Sequence, residues 1–190
     1  MKFSDKLDKA NFVIANKRKL SPFAGMLRIL TSVLGSVLLF AAAAAAREPL
    51  RVVATTTLVA DMVRGVAGDD AVVESMMGAG VDPHLYKPTA TDVLRLQRAD
   101  VIFYNGLLLE GRMTEVLEKL ARAGRRAHAI TAALTAEELL QSEDYAGHPD
   151  PHVWFDVLKW KRCLDVVEKG LSEAAPDRAE SFRQRAEELR

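Results

Sequence analysis

The chain has 190 residues, enough for one well-packed domain, and its formal net charge is zero. The charge is distributed unevenly, because the first 46 residues carry seven basic and only two acidic side chains. The remainder therefore has five more acidic than basic residues, and no basic stripe is left to suggest nucleic-acid binding.

The N-terminal segment has the pattern of an export signal. After the basic start, the stretch from Ile29 to Ala46 is uncharged and ends in six alanines. This pattern predicts a secretory signal peptide over residues 1–46, with cleavage after Ala46, and Met26 is an alternative start. A membrane anchor is the competing interpretation, because about 18 uncharged residues reach the lower limit for spanning a bilayer. Alanine is only weakly apolar, however, which favours cleavage.

Cys163 is the single cysteine of the chain and lies in a helical pattern. It has no intrachain partner for a disulfide, and it is far from the signal-peptide junction, where a lipid-modified cysteine would be needed. An exported protein without disulfides is typical of a bacterial periplasm, which is the predicted location.

The mature chain alternates predicted strands with predicted helices. Short β-branched runs predict strands, and apolar residues that recur every three or four positions predict helices. The predicted strands are residues 51–56, 71–77, 101–104 and 126–130. The predicted helices are residues 58–66, about 91–100 and about 110–123, and Thr91 is expected to cap the second of them. Because parallel strands need such helical crossovers, we expect an α/β fold with a parallel sheet flanked by helices.

The C-terminal part begins with a turn-rich segment over residues 141–151 and continues as a long helix through about residue 171. Pro176 ends that helix and starts another, on which Phe182 and Leu189 belong to one apolar stripe. The sequence contains no evident partner for this stripe before it stops at Arg190. We therefore expect an incomplete protein whose exposed stripe could drive association.

Two histidines, His84 and His152, each close an Asp-Pro-His triplet. Neutral imidazole is the commonest protein ligand for transition metals at neutral pH, and the preceding proline restricts the backbone of each loop. His84 follows the second predicted strand, and open parallel sheets bind ligands outside the carboxyl ends of their strands. A surface turn would explain one such triplet, but the repetition favours a divalent metal site assembled by the fold.

Other side chains are assigned lesser roles. Asp82 and Asp150 are expected to bond to backbone amides two residues on, or to orient the imidazoles, rather than to bind metal. His148 is a candidate accessory ligand, and Asp156 and Glu143 are the nearest substitute ligands, although Asp156 is better placed to cap the following helix. His128, inside a predicted strand, is expected to be a packing residue.

Longer motifs surround both histidines. Residues 80–89, GVDPHLYKPT, and 150–157, DPHVWFDV, closely resemble the two histidine motifs of the zinc/manganese-binding solute-binding proteins of ABC transporters. Residues 53–57, 99–106 and 109–111 are similar to further segments of that family. The resemblance extends from about Leu50 to Arg190, which is essentially the whole mature chain.

The resemblance implies two α/β lobes joined by a long rigid helix, with the metal in the cleft between them. The first lobe supplies two histidines, which match His84 and His152, and the second supplies two further ligands. It implies an N-terminal lobe over residues 47–175 and the start of the interlobe helix over residues 176–190, with the second lobe absent. The implied function is extracytoplasmic capture of zinc or manganese, which the sequence does not distinguish, and its delivery to an ABC permease.

Three other functions compete with this one. The chain could be a truncated, non-functional remnant of such a binding protein. A metal-dependent hydrolase would need an open coordination position and a general base, and the sequence has no His-Glu-Xaa-Xaa-His motif. Related binding proteins are also described as adhesins, but no residue of this chain argues for that role independently.

Overall fold

The computed structural model describes residues 48–141 and 147–190. The predicted signal peptide over residues 1–46 and the substitute ligand Glu143 lie outside the described residues. Within the described part, no helix combines the length and the apolar character needed to cross a bilayer.

The described residues form one sheet of four parallel strands, namely β1 (Leu50–Ala54), β2 (Ala71–Ser75), β3 (Val101–Tyr104) and β4 (Ala127–Ala129). Their order in the sheet is β2-β1-β3-β4. Since β2 and β3 lie on opposite sides of β1, the winding reverses there, and the carboxyl ends of β1 and β3 border the crevice in which such sheets bind ligands. The predicted parallel α/β fold is confirmed.

Helices cover both faces of this sheet. They are α1 (Thr57–Ala67), α2 (Ala90–Arg98), α3 (Met113–Arg122), α4 (Val157–Arg162), α5 (Leu164–Ala174) and α6 (Ala179–Leu189). On one face α1, α5 and α6 pack against Val52 and Phe103, and on the other α2 and α3 pack against Val53 and Ile102. Successive strand residues point to opposite faces, so a sheet covered on both sides needs continuous apolar strands such as β3, which is buried throughout.

Three helix predictions need correction. Thr89 rather than Thr91 caps α2, because Asp92 lies three residues after Thr89 and completes a capping box with it. Helix α3 begins at Met113 instead of near residue 110, since residues 107–112 form turns. The predicted long helix is divided into α4 and α5 at Cys163.

Helix α6 packs into the main core, so the expectation of an exposed stripe was wrong for its central residues. Phe182 and Ala186 are fully buried against α1 and α5, while Leu189 at the end is 50% exposed. Pro176 opens a 3₁₀ turn after α5, and α6 follows this turn to pack on both helices. The assignment of residues 176–190 to an interlobe helix stays a prediction.

Polar contacts fix α6 in this position. The Arg185 guanidinium donates to the carbonyls of Val66 and Ala67 at 2.7 and 2.8 Å and pairs with Asp70 at 2.6 Å. These carbonyls lie in the last turn of α1, where helical partners are missing, so Arg185 acts as a side-chain cap. Burial of Phe182 and this cap together explain why α6 folds back on the lobe.

Replacing Phe182 with alanine is expected to lower the free energy of unfolding by about 3–5 kcal/mol, because it removes a fully buried aromatic side chain and leaves a cavity. Urea denaturation followed by circular dichroism measures the change. Glu188→Ala, an exposed substitution on the same helix, is the control and is expected to stay within about 0.5 kcal/mol. Equal stability of the two variants would contradict the packing of α6.

Candidate metal site

The two predicted histidines lie side by side beyond the carboxyl edge of the sheet. His84 is in the 3₁₀ turn Pro83–Leu85 that follows β2, and His152 precedes the turn Val153–Phe155. Their Nε2 atoms are 3.2 Å apart, and their ring centroids are 5.2 Å apart. The tertiary fold therefore brings together two imidazoles that are 68 positions apart in the sequence.

Each Asp-Pro-His triplet forms the same tight turn. The amides of His84 and His152 donate to the Oδ1 atoms of Asp82 and Asp150, both at 2.9 Å, so the predicted backbone bonds are confirmed. Asp150 Oδ1 also lies 2.6 Å from Nδ1 of His152. The bond from the His152 amide, helped by the nearby ring, lowers the pKa of the Asp150 carboxyl. Asp150 is therefore ionised at neutral pH and orients the imidazole, as predicted for such a partner.

Asp150 determines which nitrogen of His152 faces His84. An ionised carboxylate only accepts, so Nδ1 of His152 carries the proton that is donated to Asp150. The other ring nitrogen, Nε2, lies 3.2 Å from Nε2 of His84. The contact with Asp150 therefore orients the His152 ring with Nε2 toward the other imidazole.

The surroundings of the pair are partly open and partly apolar. Trp154 packs edge-on against the ring of His152, with centroids 5.1 Å apart. Beside His152 lies a cavity of about 260 Å³, lined by Asp150 and Lys159 among others. Leu85 and Phe155, close to the two histidines in sequence, are 75% and 81% exposed.

The other candidate residues do not join the pair. His128 is half-buried in β4 and packs on Phe103 with centroids 5.6 Å apart, and burial lowers its pKa, which confirms it as a packing residue. Asp156 accepts from the Leu158 amide and caps α4, as expected. His148 is exposed. Across residues 48–141 and 147–190, no three His, Cys, Asp or Glu side chains are placed to hold one ion.

A buried carboxylate lies next to the site and was not selected from the sequence. Glu110 is fully buried, and its Oε1 accepts from the Thr55 hydroxyl at 2.8 Å and from the Asn105 amide at 2.6 Å. Its Oε2 accepts from the Gly106 amide at 3.2 Å. Burial raises the pKa of the Glu110 carboxyl, whereas these donors act in the opposite direction. An acidic residue after three consecutive leucines was the available signal.

Gly111 allows the His84 turn to approach this network. Its φ is +49°, and a Cβ atom there would lie 2.4 Å from the carbonyl oxygen of His84. A side chain at this position would therefore displace the backbone that carries one of the two imidazoles.

Comparison with known proteins agrees with this geometry. The family model described as zinc-uptake complex component A, periplasmic, matches residues 52–190. The chain belongs to this family. Its membership confirms the resemblance drawn from the two histidine motifs, and the matched residues include His84, Glu110 and His152.

Individual members of the zinc-uptake family support the assignment. The chain is 39% identical over 145 residues to the manganese-binding lipoprotein MntA of Bacillus subtilis and 43% identical over 143 residues to the zinc-binding protein TroA of Treponema pallidum. These alignments cover 76% and 75% of this chain, and 47% and 45% of the relatives. The structure of the periplasmic zinc-binding protein TroA superposes with a TM-score of 0.70 and 39% identity, covering 75% of this chain and 50% of TroA. The chain thus spans about half the length of the relatives it matches.

Removal of the Asp150 carboxylate by Asp150→Ala is expected to reduce the population of the Nδ1–H tautomer of His152, because the acceptor for that proton is lost. Two-dimensional ¹H–¹⁵N spectra of the imidazole nitrogens, recorded near pH 8, measure the populations. Asp82→Ala removes the equivalent turn bond at the other triplet and is the matched control. The same tautomer ratio for His152 in wild type and Asp150→Ala would contradict the orienting role.

The segment after His84 is anchored by Asp92. The Oδ2 atom of Asp92 accepts from the Tyr86 hydroxyl at 2.7 Å and from the Thr89 amide and hydroxyl at 2.8 and 2.7 Å. Burial acts to raise the pKa of the Asp92 carboxyl, but these hydrogen bonds outweigh it, so the pKa is lowered. Burial, together with Asp92, also raises the pKa of Tyr86 to about 12.

Asp92→Asn is expected to lower the free energy of unfolding at pH 7 by about 1–2 kcal/mol, because charge-assisted hydrogen bonds are lost. A carboxyl whose pKa is lower in the folded state stabilises above its unfolded pKa of about 3.9, and this contribution disappears as the pH falls. The difference between wild type and variant should therefore shrink between pH 5 and pH 3 in urea denaturation. The exposed Asp61→Asn is the control, and a pH-independent difference would contradict the assignment.

Proposed function

We propose that this protein captures a divalent transition metal, zinc or manganese, outside the cytoplasm and delivers it to an ABC permease without a chemical reaction. His84 and His152 are the metal ligands supplied by the described lobe. The separation of 3.2 Å between their Nε2 atoms is the observation that carries the proposal.

This separation fits a shared metal ion. Two imidazole nitrogens bound to one tetrahedral zinc at about 2.05 Å each lie about 3.3 Å apart, close to the observed spacing. Asp150 adds the feature typical of a metal-binding histidine, since it receives the Nδ1 proton and leaves Nε2 for the metal. One ion can therefore bind between the two Nε2 atoms, once neither carries a proton, with the rings near their observed positions.

Relatives support both the cargo and the partner. TroA is named a zinc-binding protein, MntA a manganese-binding lipoprotein, and PsaA of Streptococcus mitis a manganese ABC transporter substrate-binding lipoprotein. Two imidazoles with additional carboxylate or water ligands suit both metals. The exposed side chains of Leu85 and Phe155 offer an apolar surface around the ion for further protein, whether another lobe or the permease.

Export through the N-terminal signal peptide, cleaved after Ala46, completes the proposal. It rests on the basic start, the uncharged run and the alanine end of residues 1–46, and on membership of a family described as periplasmic. A periplasmic location also suits Cys163, which is buried and whose thiol pKa burial raises to about 12, so that it is chemically inert.

Alanine substitution of either histidine is expected to weaken zinc or manganese binding at least tenfold, which corresponds to about 1.4 kcal/mol. Each variant removes one of the two nitrogens that face the shared ion. Isothermal titration of the purified chain with each metal at pH 7.5 measures the affinity.

The control for this titration is His148→Ala. This substitution also removes an imidazole near the site in sequence, but from an exposed position, and the affinity should be unchanged. Equal affinity in wild type, His84→Ala and His152→Ala would reject the two-histidine site. A loss of affinity in His148→Ala would instead make His148 a ligand.

A further inference from the structure

Glu110 is fully buried where β1 and β3 end, beside the two loops that carry the histidines. Its carboxylate accepts from three neutral donors, namely the Thr55 hydroxyl and the amides of Asn105 and Gly106. Isolation of a polar group from water is unfavourable unless hydrogen bonds replace its hydration. The burial of Glu110 is explained by its contacts with the segments that carry the two histidines.

The backbone around Glu110 is also unusual. Leu107 and Leu108 have φ angles of +53° and +64°, a region that side chains other than glycine rarely adopt. These two residues form the turn that brings the Glu110 carboxylate back onto the strand ends. Such conformations persist only where surrounding contacts determine them, and they cluster at functional sites.

One branch of this network leads to His152. The Asn105 amide donates to Glu110, and the Asn105 side chain donates through Nδ2 to the carbonyl of Pro151 at 3.1 Å. Pro151 immediately precedes His152. Glu110 therefore holds Asn105 in place, and Asn105 in turn holds the loop that carries His152. Thr131 adds support, because its hydroxyl and its amide donate to the Asn105 carbonyl at 2.6 and 3.2 Å.

The other branch leads to His84 through Gly111, the residue after Glu110. The space that a Cβ atom would fill at Gly111 is taken by the His84 carbonyl, at 2.4 Å from the ideal Cβ position. The position of the Glu110 turn therefore determines how closely the His84 turn can approach His152.

We propose that Glu110 is the positioning residue of the histidine pair, setting the separation of the two Nε2 atoms through Asn105 on one side and Gly111 on the other. The inference rests on the proposed capture of a metal by His84 and His152. Glu110 does not contact the ion and acts by preorganising the two ligands, so that metal binding requires little rearrangement of either loop.

The test compares Glu110→Gln with wild type. Glutamine has the same shape, but its amide group turns a donor toward the Gly106 or Asn105 amide, which is also a donor. Zinc affinity measured by isothermal titration is expected to fall about 10–100-fold, the range for residues that support metal ligands. With cobalt(II) as a spectroscopic probe, the visible absorption of the bound ion should shift, because the ligand geometry changes.

A core variant separates positioning from general stability. Val66 is fully buried in α1, outside the network, and Val66→Ala is the matched control for destabilisation, with urea midpoints measured for both variants. Val66→Ala should keep wild-type zinc affinity and the wild-type cobalt spectrum. An equal loss of affinity in Val66→Ala and Glu110→Gln would overturn the proposal.

Asn105→Ala is a second test of the link between Glu110 and the His152 loop. It keeps the backbone amide that Glu110 binds and removes the Nδ2 bonds to the carbonyls of Pro151 and Gly106. Of these two bonds, only the one to Pro151 leads to the His152 loop, so the variant tests the link even if Glu110→Gln does not fold. Zinc affinity should fall in Asn105→Ala, and Glu110→Gln should have a smaller effect in that background than in wild type. Unchanged affinity in Asn105→Ala would overturn the route through Pro151.

The outcomes also separate this inference from the proposed function. If wild type binds zinc through the two histidines while Glu110→Gln binds equally well, only the positioning role is rejected. If wild type does not bind zinc or manganese, or binds equally without the histidines, both proposals are rejected together.

Discussion

Just beyond the carboxyl end of β3, the backbone amides of Asn105 and Gly106 bind the side chain of Glu110 instead of a neighbouring strand. Buried amides of this kind need acceptors, and the Glu110 carboxylate supplies them for Asn105 and Gly106. The same carboxylate joins β3 to β1 through the Thr55 hydroxyl. The Glu110 side chain thus connects the ends of the two strands that border the crevice. Both histidine loops pack against residues 105–111, the segment that contains Glu110.

Next to Glu110, the two short turns that carry His84 and His152 complete the site. The two Asp-Pro-His triplets form equivalent turns, yet they differ in one respect that matters for binding. Asp150 contacts both the amide and the ring of His152. Asp150 therefore holds the ring of His152 in place, and His84 completes the pair with its Nε2 atom 3.2 Å away.

The packing of α6 buries apolar side chains on one face of the sheet. Phe182 and Ala186 complete the core on the α1 face of the sheet. Leu85 directly follows His84 and Phe155 lies shortly after His152, and both of these apolar side chains stay strongly exposed.

The sequence by itself determined the parallel α/β fold and the family, and it selected His84 and His152 as candidate ligands, because apolar periodicity and the long motifs around each triplet are local properties. It also identified the helix cap at Asp156, which depends on immediate neighbours, and the packing role of His128, which followed from its position inside a predicted strand. Tertiary structure alone decided the 3.2 Å approach of the imidazoles, the burial of Phe182 and the place of Glu110 between two strand ends. Each of these depends on contacts between residues far apart in the chain, and neither spacing nor periodicity encodes which distant surfaces meet.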